Sequence, residues 1–278
     1  MRKISQLVGL LAEAFRRFQT HSGAYLGAAI AYYALLSLFP FLLGIIAILG
    51  LVFEAQQVRA AVVGQVTAYI PGSETFVRSA LDEATRARET VGLVSVVLLL
   101  WSATGVVGAV SWAINRALEV ETPRPFLRQK LVEVGAVLGA GFFLWGSTLL
   151  LGAIRFLGGL IALPTGSSGA YFLGVGISVA ISFGVFALAY RFLSALPLRW
   201  ADIWPGAAFA ALGVEVGKHL FLLYLDRFAS FNLVYGSVGA VLAFLLWSYL
   251  AAVVVIFGAE LVAVRRRAHG DPRPEGQP

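Results

Sequence analysis

Six stretches of this chain run for about 20 residues or more with few charges, the length a helix needs to cross a bilayer core. They lie near 24–53, 91–114, 131–155, 171–196, 203–225 and 236–264. The second reads "VGLVSVVLLLWSATGVVGAVSWAI" and the sixth "GSVGAVLAFLLWSYLAAVVVIFGAELVAV". Backbone amides inside lipid have only one another as partners, so an open strand or an irregular segment there is too costly and a helix is the natural solution. Composition agrees: 59% of residues are hydrophobic and 13% charged, against about 25% charged in a soluble domain. A soluble body of 278 residues would lack the polar surface to cover itself. The expected fold is all-α: a polytopic membrane protein, a bundle of six transmembrane helices.

Lys and Arg set the orientation. With the N-terminus in the cytoplasm, fourteen of the 21 basic residues fall on inside segments, among them Arg16, Arg17, Arg116, Arg124, Arg191, Arg199 and Arg265 to Arg267. Both termini are therefore expected inside. Residues 1–22 carry Ile4, Leu7, Val8, Leu11, Phe15 and Phe18 at helical spacing, with Gln6, Glu13, Arg16 and Arg17 mostly opposite. That pattern predicts an amphipathic helix lying in the interface rather than a cleaved signal peptide. The membrane domain follows over 23–264. An outer helical hairpin over 54–90 breaks at Pro71-Gly72, with Val58, Val62, Val66 and Tyr69 on one arm and Phe76, Val77, Ala80, Leu81 and Ala84 on the other. The tail 265–278 is basic, then Pro/Gly-rich, and reads as disordered. Gly23/Gly27, Gly135/Gly139 and Gly213/Gly217 have the spacing of close helix packing.

The chain has no cysteine, which excludes disulfides, thiol nucleophiles and Cys-ligated metals. No metal or cofactor is expected, because His21, His219 and His269 are scattered and no phosphate-binding glycine loop is present. The net charge of +6 suits an anionic lipid surface better than nucleic acid in such a chain. Arg265, Arg266 and Arg267 are the expected contacts for anionic head groups.

Ionisable residues inside the spans carry the functional expectation, since a mid-bilayer charge costs at least ~2.5–3.5 kcal/mol. Glu215, Lys218 and His219 share one face of span five at spacings of three and four. They predict an internal polar site that binds a solute head group or relays protons, set against a structural network locking the span to its neighbours. In span one Pro40 leaves the Leu36 carbonyl without its helical donor, and Ser37 is placed to help satisfy it. Asn232 and Tyr235 add polar groups at the outer boundary, with Gly236 and Pro40 as flexible points. Trp247 and Tyr249 read as interfacial anchors. Glu260, near the inner end of span six, has Arg191, Arg199 or the 265–267 arginines as candidate partners. A rhomboid-type protease pattern is incomplete: Gly176 and Ser178 sit on span four, but the span histidine is on span five and Val179 stands where glycine should follow.

Four stretches together resemble the YihY/BrkB family of bacterial inner-membrane proteins, once labelled ribonuclease BN. They are "AAIAYYALLSLFPFLL", "LWSATGVVGAVSWAINRALEV", "WPGAAFAALGVEVGKHLFLLYL" and "NLVYGSVGAVLAFLLWSYLAAVVVIFGAELVAV", from Ala28, Leu100, Trp204 and Asn232 onward. The resemblance implies six spans with both ends cytoplasmic. It points to Tyr33, Ser37, Pro40, Trp101, Asn115, Arg116, Pro205, Gly206, Tyr235, Gly236, Trp247 and Glu260. It supplies no settled activity, and the ribonuclease label fits poorly with Glu119, Glu121, Glu133 and Asp202, which are scattered over loops and span ends.

The expected function is therefore transport or flipping of a small anionic or amphipathic solute, or of a lipid, through a polar cavity. The cavity would be lined by Glu215, Lys218, His219, Tyr33, Ser37, Asn232 and Tyr235, with Asn115, Arg116 and Glu260 as polar groups on the cytoplasmic side. A scaffold recruiting a partner through the hairpin is the alternative, and an intramembrane hydrolase the third reading.

Overall fold

A computed structural model describes residues 2–49, 63–64, 67, 74–122, 124–139, 167–227 and 231–269. Every regular element among them is helical. In chain order these are α1 (Arg2–Thr20), α2 (Gly23–Leu49), α3 (Glu74–Ala117), α4 (126–139), α5 (Ser167–Leu193), α6 (Trp200–Arg227) and α7 (Phe231–Ala268). Among the described residues three segments are long and apolar enough to cross a membrane: Gly174–Leu193, Trp200–Leu225 and Val241–Ala268; Gly23–Leu38 is a shorter apolar helix. Most of the first arm of the expected hairpin, most of the third expected span and the tail beyond 269 lie outside the described residues.

The ends of the helices follow local chemistry. Ser22 adopts φ 58°, and its amide donates to Gln19 at 3.0 Å, turning the chain out of α1. Its carbonyl then accepts from Leu26 at 3.1 Å, so Ser22 opens α2 as the N-cap. α2 continues through Pro40. The hydroxyl of Ser37 donates to Ala34 at 2.9 Å, not to the Leu36 carbonyl that the proline frees. A serine side chain reaches three or four residues back along its own helix, and Leu36 immediately precedes it. The second arm of the hairpin does not stop before span two: α3 runs unbroken for 44 residues, about 66 Å at 1.5 Å per residue. No proline or glycine interrupts Glu74 to Val91.

The chain divides into two compact units, Met1–Phe18 with Ile114–Glu215 and Phe257–Pro278, and Gln19–Ala113 with Val216–Ile256. The first has a core of small and branched side chains: Ala14, Ile114, Ala117, Leu198, Ile203, Ala207, Ala210, Ala211, Ala259, Val262 and Ala263 are buried. Alanines along α6 and α7 let backbones approach, as membrane helices require. The approach is closest at Gly206 and Gly258. A Cβ on Gly206 would fall on the Gly258 carbonyl oxygen, and one on Gly258 would meet the Tyr190 hydroxyl and stand 2.8 Å from the Gly206 oxygen.

In the second unit Gly27 plays the same part, its absent Cβ 3.0 Å from Val253 Cγ2 and 3.4 Å from Tyr249. Trp247 is only 5% exposed and packs on Phe221 with ring centroids 5.4 Å apart. It is a core residue there rather than the interfacial anchor its type suggested. Gly217 makes ordinary contact with it at 3.8 Å. Gly135 and Gly139 have nothing within 4 Å among the described residues, so their spacing marks no helix crossing there.

Candidate functional site

The most developed polar constellation lies in the first unit and begins with the end of α3. Leu118, Glu119 and Val120 close the helix: the Glu119 amide donates to Arg116 at 3.1 Å and the Val120 amide to Asn115 at 3.0 Å. This is a Schellman cap, with Glu119 in the left-handed position at φ 53° where glycine is usual. A side chain there costs roughly 1–2 kcal/mol. The cap leaves the Ala117 carbonyl open at the negative end of the helix dipole.

Arg17 fills that opening. Its Nη2 donates to Ala117 O at 2.8 Å, its Nε to Glu260 Oε2 at 3.0 Å, and its Nη1 lies 3.0 Å from Glu119 Oε1. All three guanidinium nitrogens thus meet an oxygen. Arg17 is 5% exposed and Glu260 fully buried. Glu119 stands at the rim, its side chain 44% exposed, and also pairs with Arg267. The cation on Glu260 is therefore an arginine 243 positions away, where the sequence offered Arg191, Arg199 or the 265–267 cluster. Of that cluster, Arg267 goes to Glu119 and Arg265 to α6.

Arg265 has a specific task. Pro205 has no N–H, so the Ala201 carbonyl one turn earlier loses its helical donor. Arg265 Nε donates to that oxygen at 2.9 Å, and the guanidinium lies 5.3 Å from the centre of the Trp204 ring. His269 Nδ1, one turn on, is 3.0 Å from Asp202 Oδ1 and from the Arg265 carbonyl. Asp202 is buried in the first turn of α6, where the helix dipole favours an acid.

Asn115 holds the connection between α5 and α6. Its Nδ2 donates to Leu193 O at 2.9 Å and its Oδ1 accepts from the Ala195 amide at 2.7 Å, replacing a peptide pairing at the end of α5. Arg124 adds bonds to Phe192 O at 3.1 Å and to Ser194 O. Burial, then the nearby Arg128, lower its pKa from the usual arginine value. Arg116, one residue beyond Asn115, is exposed. Glu133 is buried on α4 and takes Gln129 at 3.1 Å and Lys130 at 2.7 Å.

Glu215, the acid singled out in span five, also belongs to this unit. It is 7% exposed, and Ser178 of α5 donates its hydroxyl to Oε2 at 3.0 Å. The serine of the protease-like Gly-x-Ser is thus engaged by a carboxylate.

The other expected site residues fall in the second unit. Lys218 is partly exposed and His219 exposed. Tyr33 is exposed, edge-on to Tyr32 at 6.0 Å, and 3.6 Å from where a Gly105 Cβ would stand. The Ser37 carbonyl accepts a 3.5 Å bond from Ser102. Trp101 is exposed. Asn232, Tyr235 and Gly236 lie in the first turns of α7, and their side chains are outside the described residues.

Arg17 and Asp202 were not expected as site residues, and Arg265 was expected at lipid head groups, with no bond to Ala201 foreseen. One signal marked Arg17: Leu10, Ala14, Arg17 and Phe18 share a helical face, so an arginine interrupts a stripe that is otherwise apolar. Among the described residues no three His, Cys, Asp or Glu side chains converge as a metal set would.

Helices of spanning length and the absence of any strand among the described residues define an all-helical membrane protein. The chain belongs to the family described as Virulence factor BrkB, which it matches over residues 14–278. It is 30% identical over 277 residues to the ribonuclease-like protein YfkH of Bacillus subtilis, covering 96% of this chain and 99% of that one. A UPF0761 membrane protein of Chromohalobacter salexigens is 30% identical over 275 residues, 93% of this chain and 64% of that one. Another from Azotobacter vinelandii is 31% identical over 271 residues, 94% and 64%. The chain thus spans nearly all of the Bacillus protein and just under two thirds of the two longer ones. No solved structure matches it.

Proposed function

We propose that the chain is a six-span inner-membrane carrier with both termini in the cytoplasm, moving or flipping a small anionic or amphipathic solute or a lipid. α1 lies in the inner interface, its exposed Val8, Leu11 and Phe15 in the acyl boundary. Anionic head groups meet this end at Arg265, Arg266 and Arg267. The observation that carries the reading is Glu215: a carboxylate buried well inside a helix of spanning length, with a serine of a second such helix as donor. Packing alone would be served by leucine at no electrostatic cost, whereas an acid at that depth costs at least ~2.5–3.5 kcal/mol and is functional by default. A Ser178 hydroxyl donated to a carboxylate suits a polar binding surface better than a nucleophile, which needs a base to take its proton. The ribonuclease-like name of the Bacillus relative is not carried over to this chain: the reading includes no nuclease activity and no nucleic-acid partner.

The test is reconstitution into liposomes, following labelled-lipid scrambling and efflux of anionic solutes. Glu215→Gln and Ser178→Ala should each abolish passage while folded yield stays at the native level. Passage unchanged in both variants, or a collapse of yield in both, would refute the carrier reading in favour of a structural pair.

A further inference from the structure

We infer that Arg17 is a latch: this one side chain holds α1 on the ends of α3 and α7, and its withdrawal releases α1 from them. Arg17 enters a socket of three oxygens, from Ala117 and Glu119 on the α3 cap and Glu260 on α7, at 2.8, 3.0 and 3.0 Å. Apolar contacts flank it. Ala14 is buried one turn earlier, and Phe18 meets Phe257 with ring centroids 6.1 Å apart. Val8, Leu11 and Phe15 are exposed, and Phe15 lies two residues from Arg17, about 200° round the helix. Among the described side chains, Ala14, Arg17 and Phe18 thus dock α1, with the guanidinium as the polar contact among them.

Two features make the latch releasable. When α1 lifts as a whole, water reaches Glu260 as well as Arg17, and the recovered hydration of both partners offsets much of the lost attraction. The socket also has a rim: Glu119 is half exposed, sits in a left-handed conformation, and divides its carboxylate between Arg17 and Arg267. Water and salt reach one wall of the socket while the Glu260 wall stays dry. Once freed, α1 stays tethered through the Thr20–Ser22 turn. The inference rests on the topology proposed above only for placing the latch at the inner boundary, not for the contact itself.

The absence of native cysteine allows a clean test. Spin labels at Ala12→Cys and Ala268→Cys, both exposed positions of the first unit, report the distance from α1 to the end of α7 in lipid nanodiscs. The native pair should give a dominant short distance. Arg17→Gln should raise a longer-distance population at least about tenfold, the change that follows from about 1.4 kcal/mol of lost docking energy. Arg17→Ala should recover the short distance in sub-denaturing guanidinium chloride but not in sodium chloride of equal strength. Glu119→Gln, a rim substitution compatible with folding, should loosen α1 part-way. An unchanged distance in Arg17→Gln and Glu119→Gln would overturn the latch, as would rescue by sodium equal to that by guanidinium. None of these readouts uses transport, so the latch and the carrier reading fail separately.

Discussion

Replacing Arg17 by methionine should destabilise the first unit far more when Glu260 is present than when it is absent. Methionine keeps the apolar stem and removes the guanidinium. Glu260, fully buried, is then deprived of its cation, a loss of about 3–5 kcal/mol for a broken buried pair. The reverse substitution is milder. In Glu260→Gln the guanidinium keeps Ala117 O at 2.8 Å and Glu119 at 3.0 Å, so one charge-assisted bond is lost, about 1.5–3 kcal/mol. Independent effects would sum to about 4.5–8 kcal/mol. The double variant leaves no buried charge at 260, and its main defect is the open Ala117 carbonyl, about 1–3 kcal/mol. The coupling energy is then about 1.5–7 kcal/mol in favour of the pair. Equilibrium unfolding in mixed micelles, followed through the six tryptophans, measures all four corners of the cycle. Additivity within about 0.5 kcal/mol, or a larger loss from Glu260→Gln than from Arg17→Met, would refute the reasoning.

Arg265→Ala should cost about 1–3 kcal/mol in the native background, where Ala201 O is left without a donor, and clearly less in Pro205→Ala, where the restored amide takes that oxygen; the same unfolding cycle checks it. Gly258→Ala should lower stability by about 1–3 kcal/mol through overlap with Tyr190 and the Gly206 carbonyl, and Tyr190→Phe should recover part of the loss by removing the hydroxyl. Asn115→Asp should be at least as damaging as Asn115→Ala, because it keeps the acceptor for Ala195 but turns a carboxylate oxygen on Leu193 O; the unfolding midpoint of each reports this. Arg16→Gln, one residue from the latch, should leave stability unchanged because the Glu13–Arg16 pair is open to water. In the native chain the Arg16 hydrogen bond holds the Glu13 carboxyl below the usual carboxylate range. The small contribution of that pair is thus present at neutral pH and fades as pH falls through the depressed value, and carboxylate titration by NMR should show the depression vanish in Arg16→Gln.

Much of the site was legible residue by residue but not as an arrangement. Asn115, Pro205, Gly206, Glu215 and Glu260 stood out from the sequence, and each has a physical task in the structure. Their partners did not stand out. Glu260 had several arginines within plausible reach, and the one that binds it comes from the other end of the chain. Glu215 shares a helical face with Lys218 and His219 by spacing, and that spacing gave no sign of the Ser178 donor on another helix. Spacing of three or four identifies neighbours on one helix and is silent about neighbours across a crossing. The internal bonds of Arg265 and Arg267 were not legible because clustered arginines look alike in sequence whether or not they also reach a carboxylate or a proline-freed carbonyl.

What the sequence determined by itself is the medium and the class. Long apolar runs with few charges leave the backbone no economical form but helices, and membership of a membrane-protein family accords with that. The helix start at Ser22, the carbonyl freed by Pro205 within α6, and the need for small residues where helices cross, also follow from local chemistry. Only the tertiary structure decided which charge meets which. An isolated helix fixes the face on which Arg17 or Glu260 lies, but the partner depends on which ends of α1, α3 and α7 the packed chain brings within 3 Å. In a medium where an unmatched charge is so costly, that choice is made by packing: Gly206 and Gly258 let α6 and α7 close, and the polar groups at their ends are then held where they can pair.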